Sequence, residues 1–437
     1  MVTAITTFAN LFRDAGLSTA AIQREDLTGK QQSNLFWLNI GVGTILAFLI
    51  AASAPLISSF YHRPTLVPVI LAMSISPLIG ALGAQHSAKL SRELRFGKRS
   101  IAVVSGALVT LIVSITVARQ NSTYWALVYG NLSGLLTTTI LLIALSGFVP
   151  TLPSRGSGLR PLLAFGSHVS GFNLINYFHR NTDSLLLGRY WGAESLGYYN
   201  RAYSLLTLPI NSIVGPINSV AFPALSRLQN DEERFRRYFL EVLSIIALLS
   251  MPLASFLLVA AEPIILLILG QDWEPVIPVF QALSIAALVQ PTASFSGSLL
   301  LSLGRSRRYL NCVIFNTSII IAGFLIGVQW GPIGVATSYA ITNIIVLYPW
   351  LSWALKDSPV SLTMCLRVCA FPFVVSSLGV IGAYCCTSFL DDRPPLVTAI
   401  AQAIFFAMAS STSLLTKSGR TQFYRYLSHF KHLRKQT

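Results

Sequence analysis

The sequence predicts an all-α polytopic membrane protein with about 12 to 13 membrane helices, arranged as two pseudo-symmetric halves plus two extra C-terminal helices. Of its 437 residues, 53% are hydrophobic and only 11% are charged, whereas about 25% of the residues in soluble domains are charged. Apolar segments long enough to cross a membrane recur along the chain, and many recur at a nearly constant offset. Together these observations exclude an ordinary soluble protein.

Each predicted helix rests on an apolar segment of about 20 residues, the length that crosses the roughly 30 Å hydrocarbon core of a bilayer. The candidate spans, in chain order, are 34–60, 65–87, 100–118, 124–148, 161–187, 195–225, 236–260, 275–303, 309–328, 331–355, 363–388 and 395–416. Residues 1–12 are also apolar, but a helix of that length is only about 18 Å long and does not cross. We therefore count this first piece as a partial helix.

The net charge of +15 fits membrane topology better than a nucleic-acid partner. If the spans alternate and residues 13–33 are cytoplasmic, lysine and arginine collect in the cytoplasmic loops and in the basic tail 417–437, as the positive-inside rule requires. The opposite loops carry acidic residues such as Glu262 and Asp272. The C-terminus is therefore predicted to be cytoplasmic. The tail is expected either to lie on anionic lipid or to stay solvated.

The two halves of the chain match each other at an offset of roughly 208–210 positions. Ala54–Ile57 matches Glu262–Ile265, and Leu94–Lys98 lies opposite Leu303–Arg307. Paired spans run in the same direction, which indicates a parallel repeat about an axis along the membrane normal. The predicted organisation is an N-lobe at 1–150, a C-lobe at 161–357, an accessory helix pair at 362–416 and the basic tail at 417–437.

The repeat also predicts that one helix is missing. The partner of the 161–187 helix would fall before Met1, so we expect the N-lobe to be truncated by about 40–60 residues, one helix and part of the next. The alternative is a natural twelve-helix variant whose N-terminal helix lies at the membrane interface.

Polar and charged residues interrupt two of the apolar spans at helical spacing. The 161–187 span carries on one stripe Asn173, Asn176, Arg180 and Asp183. The next span carries Arg201 and Asn211 on one side. Since a charge at membrane depth costs about 3 kcal/mol or more, such residues face a polar interior and mark a functional site. We predict that these six residues bind the substrate.

Three other interpretations of these charges stay open. Arg180 and Asp183 are i, i+3 neighbours and form a structural ion pair in one of them. In another, Asp183 is a proton or cation site that drives transport. In the third, Arg201 lies near an outer helix end and extends its side chain to the interface.

The residues give no indication of an enzyme, a cofactor or a metal site. The five cysteines lie in apolar spans without a CxxC spacing, and the hydrophilic loops are short. The sequence contains no HEXXH motif, paired carboxylates or nucleophile motif. We therefore predict no catalytic activity and no cofactor.

Several segments resemble a known family of membrane proteins. FRDAGLSTAAIQREDLT at 12–28, DSLLLGRYWGAESLGYYNRAYSLLTLP at 183–209 and LLILGQDWEPVIPVFQALSIAAL at 266–288 resemble the Wzx-type polysaccharide flippases, in particular the colanic-acid and teichuronic-acid exporter branch. That group belongs to the superfamily of multidrug and oligosaccharidyl-lipid/polysaccharide exporters. The resemblance implies two six-helix lobes around a central cavity plus two extra helices, and the absent first helix departs from it.

The resemblance implies a flippase that moves undecaprenyl-diphosphate-linked oligosaccharide across the bacterial inner membrane by alternating access, for exopolysaccharide or lipopolysaccharide synthesis. Arginines are then expected to hold the diphosphate, and asparagines the sugar hydroxyls. Implied partners are this lipid-linked substrate, membrane lipids, and a polymerase with other polysaccharide-assembly proteins, but no nucleic acid. The alternatives are a cation-coupled drug antiporter of the same superfamily and, in another class, a membrane polymerase or ligase.

Overall fold

The described part of the chain is helical throughout. The computed structural model describes residues 28–93, 95–120, 124–153, 181–387 and 394–412, and within those ranges it contains no β-strand. The predicted all-α class is therefore confirmed. The chain divides into two compact units, Met1–Arg189 and Tyr190–Thr437.

The first unit is built from two helix pairs. Its helices are α1 (Gly29–Phe60), α2 (Leu66–Met73), α3 (Ser76–Arg92), α4 (Phe96–Gln120) and α5 (Trp125–Ser146), followed by a helical stretch at 181–190. Helix α1 packs on α3, α4 packs on α5, and α3 packs on α5. A capping box starts α1, because the Thr28 hydroxyl accepts from the Gln31 amide at 3.3 Å and the Gln31 side chain accepts from the Thr28 amide at 3.1 Å.

Helices α7 (Glu232–Val259) and α9 (Val276–Ser302) lie at the centre of the packing of the second unit. Its helices are α6 (Gly192–Arg227), α7 (Glu232–Val259), α8 (Ala261–Leu269), α9 (Val276–Ser302), α10 (Ser306–Gly327), α11 (Gly331–Leu355), α12 (Leu362–Thr387) and α13 (Pro395–Ser411). Helices α6, α7 and α11 all pack against α9. The predicted accessory pair, α12 with α13, packs against α7 and α8.

Nine helical stretches in the described residues are long and apolar enough to cross a membrane, which confirms a multi-pass membrane protein. One of them, Arg307–Leu355, has 49 residues and would be about 74 Å long as one straight helix, more than twice the hydrocarbon core. A 3-10 turn at Val328–Trp330 and a positive φ of 70° at Gly331 divide it into α10 and α11. The two spans predicted there are therefore two crossings.

The predicted repeat reappears in the backbone conformation. His62 and Gly270 are 208 positions apart, and both have positive φ, 51° and 93°. Gly147 and Asp357 are 210 positions apart, and each has a φ of 59°. A positive φ is uncommon outside glycine, and one member of each pair is not glycine, so its recurrence at these offsets supports two related halves.

Basic side chains cap the C-terminal ends of α5 and α11, where Gly147 and Asp357 lie. In the first unit, the Lys89 ammonium donates to the Gly147 carbonyl at 3.3 Å. In the second, Arg305 and Arg308 donate to the Lys356 carbonyl at 3.0 and 2.5 Å, and Arg308 also pairs with the Asp357 carboxylate at 2.9 Å. The hydrogen bond from Arg308 lowers the pKa of Asp357 below its usual range. A positive charge at a helix C-terminus also interacts favourably with the helix dipole and stabilises the helix.

The predicted domain boundaries and several predicted segments stay predictions. The lobe boundaries at 150 and 161 are not settled, since residues 154–180 lie outside the described ranges. The partial helix at 1–12 and the basic tail 417–437 also lie outside them, and so does most of the 161–187 span.

Candidate functional site

Helix α6 has one buried face along its whole length. Its buried residues recur three, four or seven positions apart, as one face of an α-helix requires, at Leu196, Tyr199, Ala202, Leu206, Ile210, Val214, Ala221 and Leu225. This face packs against α9 and α7. It therefore fixes which side of α6 is left exposed.

The opposite face of α6 is exposed and carries most of the polar residues of the helix, together with the exposed apolar side chains of Leu208 and Phe222. It carries Asn200, Arg201, Ser204, Asn211, Ser212, Gly215 and Ser219, which we call the α6 polar face. Among the nine candidate spans in the described residues, α6 has the lowest mean hydropathy. Polar side chains in membrane helices usually face a protein interior or a water-filled cavity rather than lipid, so the α6 polar face is the candidate site.

The structure places Arg201 and Asn211 on this one face, as their spacing predicted. They are about 15 Å apart along the helix axis, and Arg201 lies about 13 Å from the first residue of α6. Arg201 makes no ion pair within the described ranges. The single carboxylate of α6, on Glu194, accepts a hydrogen bond from the Tyr198 hydroxyl at 2.8 Å. The face thus offers a positive charge that its own helix does not neutralise.

Asp183 is the other predicted site residue that the structure describes. It is 8% exposed, and its carboxylate accepts a hydrogen bond from the Ser184 backbone amide at 2.6 Å. The remaining three, Asn173, Asn176 and Arg180, lie outside the described residues. Whether the six residues bind substrate stays a prediction. Within the described ranges, no cluster of three or more histidine, cysteine or acidic side chains is arranged to hold a metal ion.

The first unit contains buried polar residues that sequence reasoning missed. Asn39 and Gln85 are 1% and 0% exposed, and neither side-chain amide has a hydrogen-bond partner among the described residues. They lie on α1 and α3, which pack against each other. Next to Gln85, the His86 imidazole is hydrogen-bonded to the Ser146 hydroxyl at 2.7 Å. The sequence did contain a signal for them, because polar side chains are uncommon inside apolar membrane spans.

We expect Asn39→Leu and Gln85→Met each to stabilise the protein. An unpaired buried amide carries a desolvation cost without a compensating hydrogen bond, so its removal is expected to raise the free energy of unfolding by about 1 kcal/mol. Thermal unfolding of the purified protein measures this. Asn131→Leu is the control, because Asn131 is exposed and donates to the Leu127 carbonyl at 2.9 Å. A lowered midpoint for both amide variants would show that each amide is bound in solution.

Comparison with known proteins identifies the family. Residues 1–278, more than half of the chain, match the model of the family described as polysaccharide biosynthesis protein. The chain belongs to this family. The polysaccharide biosynthesis family was the one that the sequence segments predicted, so that prediction is confirmed.

Two relatives and one solved structure are similar to the chain over most of its length. It is 28% identical to the lipopolysaccharide biosynthesis protein WzxC of Escherichia coli over 348 residues, which cover 78% of the chain and 70% of WzxC. It is 31% identical to the teichuronic acid biosynthesis protein TuaB of Bacillus subtilis over 312 residues, 69% of the chain and 63% of TuaB. The inward closed structure of the lipid II flippase MurJ matches with a TM-score of 0.76 and 16% identity, over 94% of this chain and 92% of MurJ. At that identity the likeness shows the fold, and the predicted exporter fold is confirmed.

Proposed function

We propose that this chain moves a lipid-linked oligosaccharide from the cytoplasmic to the outer leaflet of a bacterial inner membrane by alternating access. The observation that carries the proposal is the α6 polar face, where Arg201 makes no ion pair with another described residue, on a helix otherwise built to cross a membrane. The proposed substrate is undecaprenyl-diphosphate-linked, and its product feeds exopolysaccharide or lipopolysaccharide synthesis. The C-terminus is proposed to be cytoplasmic, as the charge distribution predicted.

The chemistry of the head group explains why arginine suits this face. A diphosphate is too poorly shielded to enter hydrocarbon without a partner for its charge. A guanidinium group stays protonated when desolvated and holds phosphate oxygens through two parallel hydrogen bonds. Arg201 is therefore the proposed diphosphate contact on α6, together with Arg180 of the span predicted at 161–187. Asn211, Asn173 and Asn176 are proposed to exchange hydrogen bonds with sugar hydroxyls, and Asp183 to hold Arg180 in place.

The family and the fold favour a transporter over a membrane polymerase or ligase. Both relatives are named as polysaccharide biosynthesis proteins, and the matched fold is that of a flippase. A drug antiporter of the same superfamily is the less favoured alternative, since a cation substrate calls for carboxylates. Between its first turn and its last, α6 offers Arg201 and no carboxylate. Membrane lipids and a polysaccharide polymerase are the proposed partners.

Deleting the gene in its host tests the proposal. We expect the deletion strain to lose surface polysaccharide and to accumulate the lipid-linked repeat unit on the cytoplasmic leaflet, and the plasmid-borne chain to restore both. A strain that lacks the polymerase is the control, because it still presents single repeat units at the outer leaflet. Unchanged surface polysaccharide together with increased sensitivity to cationic drugs would instead support the antiporter.

A further inference from the structure

Three prolines are spaced regularly along α6. Pro209, Pro216 and Pro223 are seven residues apart, which is close to two helical turns, so they lie on nearly one line. The other described helices with an internal proline, α1, α7, α9, α11 and α12, each contain one. Helix α6 thus differs from these helices in having three internal prolines at a regular spacing.

Each proline leaves one backbone acceptor open. Proline has no N–H, so the helical hydrogen bond to the carbonyl four residues earlier is not made. The open carbonyls are those of Leu205, Ser212 and Ser219, spaced about 10.5 Å apart along the axis. We call them the α6 carbonyl series.

Two of the three open carbonyls belong to exposed residues of the α6 polar face, Ser212 and Ser219. The third, that of Leu205, belongs to a half-buried residue beside this face. The neighbouring hydroxyls do not use these acceptors, because Ser212 donates to the Leu208 carbonyl at 2.8 Å and Ser219 donates to the Pro216 carbonyl at 2.7 Å. An exposed acceptor at membrane depth needs a donor from water or from a passing ligand.

We propose that the α6 carbonyl series binds the hydroxyl groups of the sugar head group, at successive positions along the path that it takes across the membrane. The inference rests on the proposed function and names the part of the substrate that each position takes. A carbonyl oxygen accepts hydrogen bonds and does not donate them, so it binds sugar hydroxyls and repels an ionised diphosphate. Arg201 has the opposite preference and lies nearer the start of α6. The helix therefore separates a phosphate contact from a sugar contact.

Repeated acceptors of one kind also suit a substrate that must leave as readily as it enters. Each position contributes one neutral hydrogen bond, which is weak enough to exchange with water. The backbone supplies these acceptors whatever the neighbouring side chain is. The series is thus expected to accept any hydroxyl-rich head group, with selectivity coming from side chains elsewhere.

Binding of the soluble oligosaccharide to the purified full chain in nanodiscs tests the proposal. The probes are the repeat unit released from the host's lipid carrier and its permethylated derivative, which has no hydroxyl donors. Pro216→Ala restores an N–H that bonds the Ser212 carbonyl, so we expect it to weaken binding of the repeat unit about fivefold, or about 1 kcal/mol. Binding of the permethylated derivative is expected to be the same in both proteins.

A second variant separates the open carbonyl from the bend that a proline ring causes. The α-hydroxy analogue of alanine, incorporated at position 216, lacks both the ring and the N–H, so we expect it to restore binding. Pro252→Ala, inside α7, is the control and should bind as the unmodified protein does. Unchanged binding by Pro216→Ala overturns the proposal, and so does failure of the α-hydroxy variant to restore it. If the unmodified chain binds no soluble repeat unit, this proposal fails, whereas the proposed function fails only if the deletion strain keeps its surface polysaccharide.

Discussion

Arg201→Ala is expected to abolish export of the lipid-linked repeat unit while the protein still inserts in the membrane. Arg201 is exposed on the α6 polar face and has no ion-pair partner within the described ranges, so its removal leaves no buried carboxylate uncompensated. A hydrogen bond to a charged group is worth about 1.5–3 kcal/mol, which corresponds to about a 10- to 100-fold loss of affinity. Surface polysaccharide, measured at matched protein abundance, reports the effect.

Two further variants identify the cause of that loss. Arg201→Lys keeps the charge and removes the planar fork, so partial export would indicate that two-pronged contact with phosphate matters. Arg227→Ala removes an exposed arginine from the last turn of the same helix and is expected to export normally. Normal export by Arg201→Ala would support the alternative that Arg201 only extends to the membrane interface.

The sequence predicted the helices well because the membrane imposes their length. Its errors are at the ends. The span predicted at 236–260 begins at Glu232 in the structure, because Asp231 caps the helix by accepting from the Arg234 amide at 3.1 Å. Residues in that first turn are charged and lie outside the hydrocarbon, so hydropathy does not register them. Helix ends are set by capping, whereas spans are set by apolar length.

The candidate site was predictable only in part. Helical spacing alone placed Arg201 and Asn211 on one face, since a period of 3.6 residues needs no tertiary information. The three prolines of α6 were visible as well, but their meaning depended on which face is exposed. The unpaired amides of Asn39 and Gln85 depend on how α1 packs on α3. No local pattern determines that packing.

Helix α4 approaches α5 closely through small residues, and the sequence did not reveal this contact. A Cβ added at Gly134 would lie 2.6 Å from the Gly106 carbonyl oxygen and would also collide with the Thr110 hydroxyl. In membranes, where lipid tails are as apolar as leucine, such close backbone packing is a principal source of helix association. The pair therefore holds α4 in the first unit, where little else in that helix is buried.

We expect Gly134→Ala to destabilise the first unit by about 3 kcal/mol, the upper range for overpacking, because the colliding carbonyl is backbone and cannot rotate away. Thermal unfolding and the amount of protein recovered from membranes both measure this. Gly41→Ala is the matched control, since no heavy atom lies within 4 Å of its added Cβ. That variant is expected to gain about 0.5–1 kcal/mol from helix propensity.

The second unit has a close backbone approach of its own, at other positions of the repeat. A Cβ at Gly327 would lie 2.5 Å from the Gly334 carbonyl oxygen, where α10 meets α11. Gly327→Ala should therefore lose about as much stability as Gly134→Ala. If the Gly134→Ala variant unfolds no more easily than the Gly41→Ala variant, the Gly134–Gly106 contact does not hold α4 and α5 together. Equal losses would show that close backbone approach stabilises the α4–α5 pair and the α10–α11 pair to a similar extent.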